Sequence, residues 1–305
     1  MSHSALRAEI EALFEGGLYV SAFRAAERAW GPPATWRGPE DCLLGSRILH
    51  YVGAPRGSAV LLIRAYRAAP LDPEVASLWA HYLGDRRGPY AGLEFLRTFP
   101  VDAAPAEAQV RLRHARAVLL LAVRDFEAAE YELTRAEVLG PGDARARMAR
   151  AGLLAAQDQI EAAQDVLRDI MREHPHHRGA VPASGRSLVE LGRVEEAEAL
   201  LVDADAKLEI PGLAGQLASL ELSRRRPREA WRWLVRAAEL SVAAEPGLVV
   251  ALAAACSEAA SEAGDYAAAI NLARSVGSEW LVRLAERLEA GGERGRVMLE
   301  VPYVR

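Results

Sequence analysis

Three stretches of this 305-residue sequence gather side chains with chemical potential. The segment EHPHHRG, residues 173–179, sets His174, His176 and His177 close together, and imidazole is the commonest metal ligand. Holding an ion requires further donors at fixed positions, and only Glu173 accompanies the histidines in a stretch that reads as a turn, so no metal ligand is assigned. In PEDCLLGSR, Cys42 precedes His50 by two helical turns. That is about 12 Å along a helix axis, beyond the hydrogen-bond reach that a nucleophile and its base need. Cys256, inside VVALAAACSEAA, reads as a small core residue. The run Arg224-Arg225-Arg226, continued by Arg228, Arg232 and Arg236, is basic enough to attract phosphate. It lacks the interleaved aromatic rings on which a single strand would stack, which argues against nucleic acid. Neither GxxxxGK[ST] nor GxGxxG occurs, so the sequence assigns no catalytic residue and no cofactor.

Composition narrows the scaffold. Hydrophobic residues make up 51% of the chain and aromatic ones 6%, with alanine dominant, a mixture suited to closely packed helices. An all-α protein is expected. The 37 basic and 42 acidic residues leave a net charge of −5, so no global basic excess points to nucleic acid or anionic lipid. Two distant cysteines make a disulfide framework improbable and favour a cytoplasmic location. The N-terminal MSHSALRAEIEALFEGG is too regularly charged for a secretion signal, and the longest apolar run, 246–256, is about half what a bilayer crossing requires.

Self-similarity organises the rest. A shift of 34 residues carries Ala117 onto Ala151, Leu120 onto Leu154, Ala129 onto Ala163, Leu133 onto Leu167 and Pro141 onto Pro175. A second shift reaches Gly185, Leu188, Ala197 and Leu201. Small residues late in one helix and early in the next let two helices approach closely, leucine fills the gap between neighbouring pairs, and proline turns the chain into the following unit. Helix-end glycines recur in GGLYVSA at 16–22, LGRVEEA at 191–197 and GDYAAA at 264–269. Weaker copies cover 31–105, around Gly45, Ile48, Ala80 and Leu83, and another unit carries Ala218, Ala230, Leu234 and Ala237. After residue 276, Ser278 caps a last helix that ends at Gly291-Gly292.

These residues resemble the tetratricopeptide repeat (TPR). The resemblance implies an all-α, right-handed superhelical solenoid of about eight antiparallel hairpins over residues 1–290, closed by a C-terminal capping helix; beyond it, the two-residue alternation of Val297, Leu299 and Val301 after Gly291-Gly292 reads as a linker and strand-like tail at 291–305. The resemblance implies also that the first helix of each pair faces a concave groove, where the register places Ser77, His81, Arg111, His114, Arg145 and Met148. Arginine beside histidine suits a carboxylate, so the expected partner is a protein or peptide, an acidic peptide among the candidates. The asparagine and lysine with which some members of the family hold a terminal carboxylate are nearly absent: Asn271 and Lys207 are the only ones. Trp231 and Trp233, two residues apart, cannot share a helix face, so one is expected in the core and the other outside. The tail VPYVR, 301–305, looks like the opening strand of a C39-type papain-like peptidase domain, which would make this chain the recognition arm of a larger bacterial protein. A peptide-sensing regulator and a self-associating, homo-oligomeric scaffold remain open as alternatives.

Overall fold

The computed structural model describes residues 2–224 and 226–243. Among the described residues there are fourteen α-helices, two single 3-10 turns at Pro33–Thr35 and Val101–Ala103, and no strand. The helices pack as consecutive pairs: α1 (His3–Glu15) with α2 (Tyr19–Trp30), α3 (Pro39–Tyr51) with α4 (Pro55–Ala68), and α5 (Pro73–Arg87) with α6 (Pro89–Thr98). Then follow α7 (Ala106–Ala122) with α8 (Phe126–Leu139), α9 (Ala144–Ala156) with α10 (Ile160–Glu173), α11 (Ala180–Glu190) with α12 (Val194–Asp205), and α13 (Pro211–Ser223) with α14 (Pro227–Leu240). The chain divides into two units, Met1–Ile210 with six pairs and Pro211–Arg305, in which α13 and α14 are described. The expected eighth hairpin, the capping helix, the boundary at 290 and the tail 291–305 lie outside the described residues.

The 34-residue register is a packing rule. Ala117, Ala129 and Leu133 of the fourth pair form one buried cluster with Ala149 and Leu153 from the next. One repeat later Ala151, Ala163, Leu167 and Ile170 do the same with Ala180. Alanine at the helix crossing lets the backbones approach, and the leucines fill the layer between hairpins. Each turn within these pairs contains one residue in the left-handed region, again 34 apart: Arg124 (φ 60°), Asp158 (φ 64°) and Gly192 (φ 72°). Only the third is the glycine that the sequence pattern expects. Aspartates begin several helices, Asp72, Asp125 and Asp143 each accepting backbone N–H bonds from the first turn.

The loosely patterned region 31–105 keeps the pairing but fills its core differently. Trp36, from the segment linking α2 to α3, is 1% exposed and donates its indole N–H to the Gly31 carbonyl at 2.8 Å. A Cβ on Gly45 would come within 2.3 Å of its ring, so the small residue of α3 makes room for tryptophan. A buried ion pair was not legible at all. Arg113 (3% exposed) donates to Glu132 at 2.8 Å and to Asp102, and Arg116 donates to the other Glu132 oxygen at 2.9 Å, tying α7 to α8.

The first unit returns on itself. Ser21 donates its backbone N–H (2.7 Å) and its hydroxyl (2.9 Å) to the two Glu209 carboxylate oxygens, 188 residues away, and the Glu209 N–H donates to the Gly17 carbonyl at 2.9 Å. The N-cap position of α2 is Leu18, which offers no acceptor, so Glu209 caps that helix from the far end of the unit. Alongside, Arg178 donates to Glu15 at 3.0 Å, and the guanidinium carbons of Arg47 (4.6 Å) and Arg178 (4.8 Å) both lie over the Phe14 ring.

Two stability outcomes follow from these geometries. Replacing Glu209→Ala removes two bonds to α2, lowering stability by about 1 kcal/mol; hydrogen exchange at the Ser21 amide is then faster than at amides of α10. Gly192→Ala costs about 1 kcal/mol through its left-handed backbone alone, because a Cβ there would meet no other atom within 4 Å. Denaturant unfolding midpoints read both changes.

Candidate functional site

Within the first unit the first helices of five pairs and the turn into the sixth pair line one chamber of about 740 Å³, and no second helix contributes to it. Residues spaced by three, four or seven on a helix share a face, and the lining follows that spacing. From α1 come Glu11 and Glu15, from α3 Arg47 and Tyr51, from α5 Glu74, Ser77, Leu78 and His81. Glu107, Arg111 and His114 follow from α7, Ala144, Arg145 and Met148 from α9, and 177–179 from the turn into α11. The six residues expected on the concave side, Ser77, His81, Arg111, His114, Arg145 and Met148, therefore all meet in this chamber.

Charge around the wall alternates in sign. Arg178 bonds Glu15, Glu15 also bonds Arg47, Arg47 reaches Glu74 at 3.4 Å, Glu74 accepts from Arg111 at 2.9 Å, and Arg111 reaches Glu107 at 3.4 Å. Burial alone would raise the Glu15 carboxyl, and the Arg47 and Arg178 guanidiniums outweigh it, holding Glu15 below the usual carboxylate range. Arg111, expected to be available to a ligand, is thus committed to two internal carboxylates. Arg145 differs: the carboxylate near its guanidinium is Asp143, 3.9 Å from Nε, and Asp143 already caps α9.

Two imidazoles line the same chamber, His114 within electrostatic reach of that arginine and His81 next to His114. His81 and His114 lie with ring centroids 6.4 Å apart. Burial pushes the His114 pKa down to about 4, with His81 and Arg145 adding to the effect and Asp143 opposing it; burial lowers His81 as well, against Asp85. Near neutral pH both rings are uncharged, each with one N–H to donate and one nitrogen to accept.

Of the other sequence candidates, His177 and Cys42 make structural hydrogen bonds. His177 Nδ1 accepts the backbone N–H groups of Gly179 (3.3 Å) and Ala180 (3.0 Å), capping α11, while His174 and His176 are exposed. Among the described residues no group of three His, Cys, Asp or Glu could hold a metal ion. The Cys42 thiol donates to the Trp36 carbonyl at 3.6 Å, and burial pushes its pKa up, whereas His50 is exposed. Arg224 and Arg226 each lie 3.7 Å from the buried Glu221. Trp233 is half-buried, and the side chain of Trp231 lies outside the described residues. Among the described residues no helix is long and apolar enough to cross a membrane. Sequence reasoning missed Glu15, Arg47, Glu74, Glu107 and Arg178. Only Glu107, four residues before Arg111 on one helix, left a local signal.

No family model matches the sequence, and no curated protein does. Solved structures match the fold. A tetratricopeptide repeat protein from Parabacteroides merdae is 14% identical over 83% of this chain and 98% of its own, with a TM-score of 0.52. A chain of the APC/C hetero-tetramer Cut9-Hcn1 gives 16% identity, 88% and 51% coverage and a TM-score of 0.60. Yeast Tom70 gives 13% identity, 89% and 59% coverage and a TM-score of 0.57. The present chain spans only about half of the matched Cut9-Hcn1 chain. The fold is that of the tetratricopeptide-repeat solenoids.

The neutral histidines predict a pH response. Unfolded, each protonates near the ordinary value of 6.5; folded, His114 does so near 4. Between these values the unfolded chain binds more protons, so stability is full above pH 6.5 and is lost as pH falls towards 4, by at most about 1.4 kcal/mol per pH unit for this one group. Melting temperatures across that range check it, and His114→Gln flattens the slope.

Proposed function

We propose that this chain is a protein-binding scaffold that receives an extended segment of a partner protein in the chamber of its first unit. The observation carrying the reading is that five first helices and the turn into α11, and no second helix, converge on one cavity whose wall combines charged groups with Tyr51, Leu78 and Met148. Such a wall can satisfy both the backbone and the side chains of an extended chain, and concave faces are where solenoids of this kind offer their surface. The kinship in fold to a chain of a hetero-tetramer supports the same reading. The chemistry is recognition by shape and charge, with no bond made or broken. If the tail at 301–305 does open a C39-like domain, the scaffold is the recognition arm of that larger protein.

A second reading, a peptide-sensing regulator, is favoured by the closure at Glu15, Arg178 and Glu209, because a ligand that strains this closure would change the pitch of the helices. Solution scattering with and without bound peptide separates the two: a rigid scaffold leaves the radius of gyration unchanged.

The main reading is tested by capturing partners with the full chain and repeating the capture with Met148→Trp, which narrows the chamber at α9, and with Val138→Ser on an exposed second-helix face (76% exposed). Recovery is expected to fall at least tenfold for Met148→Trp and to stay unchanged for Val138→Ser. Equal recovery by both variants, with circular dichroism confirming folded protein, removes the chamber from the interaction.

A further inference from the structure

The repeat register shows why Arg145 stands apart from the other chamber arginines. Arg111 is held by Glu107, four residues before it, and by Glu74, thirty-seven before it. The same steps back from Arg145 reach Pro141 and Ala108. Both carboxylates of the preceding repeat are therefore replaced by residues that cannot pair, and the alternation of charge that runs from Arg178 through Glu15, Arg47, Glu74 and Arg111 finds no continuation at α9. Arg145 remains 45% exposed on the chamber wall. Its neighbours there, His114 and His81, are uncharged near neutral pH and add N–H donors without adding positive charge.

We propose that the segment received by the chamber presents one carboxylate to Arg145, between α7 and α9, flanked by uncharged or apolar residues, and that runs of acidic residues are refused. The inference rests on the polypeptide-binding reading above and narrows the acidic-peptide expectation. A guanidinium binds a carboxylate through two parallel N–H bonds, and Arg145 has the room and the open donors to do so. A second ligand carboxylate would find Arg47, Arg111 and Arg178 already bonded and would face Glu11, Glu15, Glu74 and Glu107 across the same cavity. Like charges held together in a partly desolvated site repel strongly, so each additional acid weakens binding. Tyr51, Leu78 and Met148 give the flanking residues an apolar wall. A volume of about 740 Å³ limits the enclosed part to a short stretch.

The experiment selects binders from a displayed library of random heptapeptides, using the full chain, the Arg145→Gln variant and the Met148→Trp variant in parallel. The full chain is expected to enrich peptides with a single Asp, Glu or free C-terminal carboxylate among apolar residues. Arg145→Gln is expected to lose the enrichment of the acid and keep that of the apolar flanks. For an enriched peptide, replacing its Glu by Gln, or amidating its C-terminus, is expected to weaken binding at least tenfold in the full chain and less than twofold in Arg145→Gln; which replacement matters identifies the source of the carboxylate. Enrichment of acidic tracts, or of acid-free peptides, or an acid preference that survives Arg145→Gln, overturns the inference while leaving the chamber as a binding site. Enrichment that survives Met148→Trp, or none at all, overturns the polypeptide-binding reading and this inference together.

Discussion

Close approach of helix backbones at alanine and glycine is the constraint from which the rest of this structure develops. Where Ala117, Ala129 and their counterparts bring two helices together, the crossing is fixed by backbone contact, and leucines such as Leu133 and Leu167 set the distance to the next pair. Repeating one crossing assigns every first helix to the same side. Without that uniformity Glu15, Glu74, Arg111 and Arg145 would not share a wall, and their charges would be separate surface pairs worth little.

The chamber then illustrates how a scaffold can be strongly charged inside without being strongly attractive. Its arginines are matched by glutamates supplied from adjacent first helices, so most of the electrostatic energy of the wall is satisfied internally. Recognition is left to positions where that matching lapses. The buried pair of Arg113 with Glu132 plays a different part: it joins α7 to α8 with little exposure and takes no place in the chamber lining.

How much of this was legible in the sequence depended on distance along the chain. The 34-residue spacing gave the fold, the core positions and all six chamber residues first singled out, because each depends on its own repeat and the next. Contacts outside that period were invisible. Glu15 meets Arg178 across 163 residues and Ser21 meets Glu209 across 188, with no pattern to announce either. Trp36 sits in a connecting segment that no repeat template describes, and Arg124 and Asp158 occupy left-handed positions where a search for glycine passes over them. The commitment of Arg111 to Glu74 was likewise hidden, since a register identifies which residues face inward and says nothing of which of them already have partners.

The cap that Glu209 lends to α2 alters how the unit behaves as a polymer. In an open stack of hairpins each terminal member has one neighbour and frays first, so that melting spreads inward from the ends. Here the first hairpin gains a second neighbour in the segment following the sixth, and the unit has the connectivity of a cycle. Loss of any one hairpin then turns a cycle into a line, exposing two fresh ends at once. Such a body should stay whole or open entirely, and its formation must await the latest contact in the chain before the earliest helix is complete.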